Sequence, residues 1–120
     1  MNSTATIAAT ILTNHRGIID WADANAARLL NVSPNYCAGR DLLTAFAQDR
    51  LDVMRAILAA VSGEVVRGEG FIRPRERRPC PVTFKLAMYA GDHRFFQWTF
   101  EVDESAMTPL PRRLRLVQRA

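Results

Sequence analysis

The sequence predicts a domain of the α+β class, and three observations carry that reading. Over residues 49–62, Leu51, Met54, Ile57, Leu58 and Val61 recur at helical spacing, with Gly63 as a stop. After Gly63 the period changes, and 65–74, 82–90 and 95–102 alternate or are rich in β-branched and aromatic residues, which predicts three strands. Ahead of the helix, 10–13 and 18–22 are short apolar runs that read as two more strands.

The elements follow in order. Residues 1–9 are small and polar, apart from Ile7, and are expected to form a lead segment that is frayed or packed against a partner. AsnHisArgGly turns the first strand into the second, with Gly17 free to take a positive φ. Asp23 has a short acceptor placed to cap the helix AlaAsnAlaAlaArgLeuLeu, and Asn31 suits the left-handed position that ends it. Ser33-Pro34 opens a new turn, and LeuLeuThrAlaPhe at 42–46 is a short helical segment. In the last strand Phe96, Trp98, Phe100 and Val102 share one face, with Gln97, Thr99 and Glu101 on the other. AlaGlyAspHisArg joins the last two strands as a hairpin.

The organising stretch is 17–41. Gly17, Ile18-Ile19, Asp23, Ala26-Ala27, Leu29-Leu30, Asn31, Ser33-Pro34 and Gly39-Arg40 fall in an order that resembles the PAS domains, which are small sensory and dimerisation modules. Asp23 stands where that family most often has asparagine, and Asn31 where it most often has glycine. Both keep the local capping chemistry. The resemblance covers about 10–103 and implies a PAS-like five-stranded antiparallel sheet with helices covering one face. It leaves 104–120 as a basic C-terminal tail or linker.

Composition bounds the function. A chain of 120 residues makes one domain around one core. With 48% hydrophobic and 23% charged residues and no apolar run of membrane-spanning length, no membrane role is expected. The N-terminus lacks signal-peptide character, and Cys37 and Cys80 are isolated, which suits reduced thiols in a cytoplasm; that the source is bacterial is what the resemblance implies. The net charge of +4 is carried almost wholly by arginine, with Lys85 the single lysine.

Cofactor and catalytic chemistry find little footing. By the resemblance, a flavin photoadduct needs a cysteine in the segment after Gly39-Arg40, where Leu42 stands, so that chemistry is disfavoured; Cys37 reads as a small buried residue. Haem is poorly supported, because the long helix has no histidine and His15 and His93 fall in predicted turns. No cofactor and no metal site is assigned. No catalytic motif is present, so an enzyme is not expected. Arg73, Arg75, Arg77 and Arg78 crowd one loop without interleaved aromatics, which reads as a solvated hairpin tip and makes a nucleic-acid partner unlikely.

The resemblance therefore implies a signal-transduction sensory or protein-interaction module that dimerises, feeds an output domain or partner protein, and takes a small ligand between sheet and helices. Candidate cavity residues are Trp21, Asn25, Leu30, Leu43, Phe46, Ile57 and Trp98. The outward residues of the last three strands, with Ile7, Ile11 and Leu12, are the candidate homodimer surface. A cone-shaped α+β isomerase and a basic nucleic-acid-binding module are the alternatives.

Overall fold

A computed structural model describes residues 5–107. Five strands, β1 (Thr6–Thr13), β2 (Ile19–Ala22), β3 (Val66–Ile72), β4 (Cys80–Tyr89) and β5 (Asp92–Asp103), form one antiparallel sheet in the order β2-β1-β5-β4-β3. Between β2 and β3 come α1 (Ala24–Leu30), 3₁₀ turns at Pro34–Tyr36 and Leu42–Ala45, and α2 (Arg50–Val61). The α+β class and the five-stranded antiparallel sheet expected from the sequence are present. Among the described residues no helix is long and apolar enough to cross a membrane.

Local chemistry explains the punctuation. The Asn14 side chain accepts from Arg16 N and Ile18 N at 2.9 and 3.1 Å, and Gly17 turns at φ 87°. Asp23 caps α1 by accepting from Ala26 N at 2.8 Å, and Asn31 ends it at φ 57°, ψ 46°. Asp49 caps α2 through Leu51 N at 2.9 Å. Ala90 and Gly91, both at positive φ, make the tight turn between β4 and β5.

Two ends differ from expectation. Strand β1 begins at Thr6, because residues 6–9 pair with β5 from Asp103 to Phe100 and are held as sheet, not frayed. After β5, a 3₁₀ turn at Glu104–Met107 buries Met107 and receives the Cys80 thiol, which donates to Ala106 O at 3.0 Å. The domain thus runs past 103; the basic tail beyond 107 lies outside the described residues.

The core lies on one face of the sheet. Ile11 sits between Ala22 and Trp98, and Phe100 between Ala9 and Phe84. Phe84 needs room on this face, and Gly68 supplies it: a Cβ there would lie 2.9 Å from the ring.

Candidate functional site

The space between sheet and helices, expected to hold a ligand, is packed with rings. Phe46, at the end of the Leu42–Ala45 turn, meets Phe84, Trp98 and Phe100 at centroid distances of 5.8, 5.6 and 5.9 Å. Trp98 and Phe100 stack with 6° between planes. The fully buried Trp98 indole donates to the equally buried Thr13 Oγ1 at 3.0 Å, so its one polar atom is satisfied inside the core.

The structure does not bring the expected cavity residues together around an opening. Phe46, Leu43 and Ile57 are core residues, and Leu43 packs on Gly17. Asn25 Nδ2 donates to Ala8 O at 3.0 Å and ties α1 to β1. Leu30 is buried along the floor of a cleft on another side of the helices. Trp21 is turned outward and is 50% exposed. The cause is a bulge: Thr13 pairs with Ile19 but Leu12 pairs with Trp21, leaving Asp20 as an extra residue. Ile19 and Ala22 therefore face the core while Trp21 faces away, so Trp21 and Trp98 cannot flank one planar ligand. Leu42 and Cys37 are both buried, and burial pushes the Cys37 thiol above the ordinary value, partly offset by the Arg40 charge.

The candidate dimer surface also changes. Ile11 is fully buried and Ile7 packs against the core, because both lie on the inner face with Trp98 and Val102. Only Leu12 points to the other side, where it neighbours Gln97 and Trp21. The middle of that outer face is polar, and its exposed apolar residues Trp21 and Phe71 stand on the two edge strands, β2 and β3. Thr10, Thr99, Lys85 and Arg67 form one cross-strand row, and Ala8, Glu101, Thr83 and Glu69 the next.

Among the described residues, a row of exposed apolar side chains lies on α2. This helix packs on β4, β3 and the Leu42–Ala45 turn, and buries Val53, Ile57 and Ala60. Leu51, Met54, Leu58 and Val61 lie at spacings of three, four and three residues and are 60%, 43%, 65% and 43% exposed. Sequence periodicity picks out this stripe without saying which way it faces. Four of its five members face solvent, and only Ile57 belongs to the buried side.

No family model matches the sequence, and no curated protein matches it. Comparison with solved structures gives clear relatives in fold. A PAS domain of an HTR-like protein from Haloarcula marismortui superposes with a TM-score of 0.67 at 15% identity, over 80% of this chain and 85% of that one. This chain has the PAS fold. The PAS domain of the RpfR quorum-sensing receptor of Cronobacter turicensis, in complex with BDSF, gives 0.66 at 13% identity over 80% of this chain and 92% of its own. Drosophila melanogaster Cycle PAS-B, with bound ethylene glycol, gives 0.67 at 12% identity over 78% and 98%. The PAS resemblance read in residues 17–41 thus extends to the topology of the whole sheet.

Proposed function

We propose that the chain is a PAS-type sensory or protein-interaction module of signal transduction, acting without catalysis, and that two copies pair through α2. The supporting observation is the exposed stripe of Leu51, Met54, Leu58 and Val61 on the outer side of that helix. A monomeric domain gains nothing by keeping such a row in water. The stripe is also self-complementary. An antiparallel pairing about a two-fold axis level with Ala56 sets Leu51 against Val61 and Met54 against Leu58 of the second copy.

Three helical turns bury less than the roughly 800 Å² per partner of a standard stable interface, so the pair is expected in the transient class, responsive to small changes in packing. A ligand or partner that shifts α2 against the sheet would change pairing and so reach an output domain. That solved PAS structures include domains of a quorum-sensing receptor and of a sensor histidine kinase supports this role.

Sedimentation velocity over a wide concentration range tests the reading. The wild type is expected to shift from monomer to dimer as concentration rises, and Leu58→Glu to stay monomeric with an unchanged melting curve. Trp21→Glu, on the sheet's outer face, should dimerise like the wild type. A wild type that remains monomeric throughout, or a dimer lost with Trp21→Glu and kept with Leu58→Glu, would overturn it.

A further inference from the structure

An open cleft of about 380 Å³ lies between the C-terminal end of α1, the Leu42–Ala45 turn and the start of the β3–β4 loop. Its floor is apolar: Ile19, Leu30 and Leu42 are at most 5% exposed. Its walls include three arginines, Arg40, Arg73 and Arg75. These come from two distant stretches of chain, so their convergence is a product of the fold.

The backbone fixes them there. Arg73 N donates to Ala45 O at 2.6 Å, Arg75 N to Leu30 O at 3.0 Å, and Asn31 Nδ2 to Arg75 O at 2.6 Å. Arg40 Nε donates to Tyr36 O at 3.0 Å. The charges are not neutralised in return. The one carboxylate lining the cleft, Asp41, is already engaged by Leu43 N at 2.9 Å and by Arg50 at 3.1 Å. Arg75 reaches only the exposed Glu76, at 4.0 Å. Among the described residues neither Arg40 nor Arg73 has a carboxylate within ion-pairing distance. Three like charges held over an apolar floor oppose one another and do nothing for the core. They suit a ligand that brings negative charge and an apolar body together.

We propose that this cleft binds a small organic anion, a carboxylate or phosphate ester, whose acidic group is clamped by Arg40, Arg73 and Arg75 while its apolar part lies on Ile19, Leu30 and Leu42. The inference rests on the sensory reading above and names the ligand class which that reading leaves open. It moves the ligand from the ring-filled interior to a cleft at the C-terminal end of α1. The same cleft touches Leu42 and Ala45, in the turn on which α2 packs, so occupancy has a short path to the pairing helix.

Calorimetric titration of the wild-type chain with 3-phenylpropionate, phenyl phosphate and the neutral 3-phenylpropanol tests the site. At least one acid is expected to bind, and the alcohol at least about tenfold more weakly, the loss of one charge-assisted contact or more. Preference between the two acids identifies the carboxylate or the phosphate ester as the better match. The double variant Arg73→Gln/Arg75→Gln, altered only at exposed side chains, should melt like the wild type and lose the acid's advantage. No binding of either acid, equal binding of acid and alcohol, or undiminished binding in the variant would overturn the proposal. Binding that leaves the sedimentation of the protein unchanged supports the site and counts instead against its coupling to pairing.

Discussion

Replacing Thr13 with valine keeps the shape of the side chain and removes the single acceptor of the Trp98 indole. Both residues have no exposed surface, and the bond they share is 3.0 Å long. Water cannot reach the orphaned N–H, so the variant loses the hydrogen bond and also leaves a buried donor unpaired. That costs about 1–3 kcal/mol, partly offset by the added methyl group, for a net loss of about 1–2 kcal/mol. In a domain of this size the melting temperature should fall by roughly 5–15 °C. Urea unfolding followed by far-UV circular dichroism measures the change without relying on either tryptophan. Trp98→Phe removes the donor together with packing volume, and has a cost of its own. The double variant has no donor left to satisfy, so the two effects should sum to less than the parts, with a coupling near 1 kcal/mol. Thr13→Val as stable as the wild type, or strict additivity in the double variant, would refute the reasoning. Trp98 would then belong to a loose interior with room for a ligand.

Gly17→Ala should destabilise by about 1–3 kcal/mol in the same assay, because Gly17 sits at φ 87° and a Cβ would come within 2.9 Å of Leu43 Cγ. Asp23→Ala should cost about 1 kcal/mol, since it frees Ala26 N at the start of α1, while Asp23→Asn should restore most of the loss. Burial raises the thiols of Cys37 and Cys80 above the ordinary value, with Arg40 and Arg77 opposing the shift. Both should therefore alkylate more slowly in the folded protein than after unfolding, measured by mass spectrometry at neutral and mildly alkaline pH. Because the unfolded chain releases these protons first, stability should decline as the pH rises through and above the ordinary thiol range.

The features set by neighbours in sequence were legible in it. Asp23, Asn31 and Gly17 act through their own turn, and each takes the role that its local chemistry predicts. The alternation of Phe96, Trp98, Phe100 and Val102 likewise defined the inner face of β5. The errors share one physical origin: period alone does not say which of two apolar faces meets the core. Helix α2 carries Val53, Ile57 and Ala60 on one side and Leu51, Met54, Leu58 and Val61 on the other. Val53, Ile57 and Ala60 are the ones that approach the sheet, which is already filled by Phe84, Trp98 and Phe100. The larger stripe is left in solvent. In strand β1 the difference runs the opposite way: Ile11, expected on the outer surface, pairs with Trp98 at the centre of the core. Trp21 was misplaced by one bulge at Asp20, which nothing in a four-residue strand announces. The arginine cleft could not be read along the chain at all. Arg40 lies far in sequence from Arg73 and Arg75, and only the contacts of Ala45 and Leu30 with the β3–β4 connection unite them.

Cysteine cross-linking across α2 tests the proposed pairing most directly. In the antiparallel arrangement Leu51 of one copy faces Val61 of the other, whereas two Leu51 positions are separated by about 15 Å along the helix axes, ten residues at 1.5 Å each. A mixture of the Leu51→Cys and Val61→Cys proteins under mild oxidation should therefore give a disulfide-linked heterodimer, while either protein alone should stay largely uncrosslinked. Efficient linkage of Leu51→Cys to itself, or no linkage in the mixture at concentrations where the wild type sediments as a dimer, would contradict pairing through this helix.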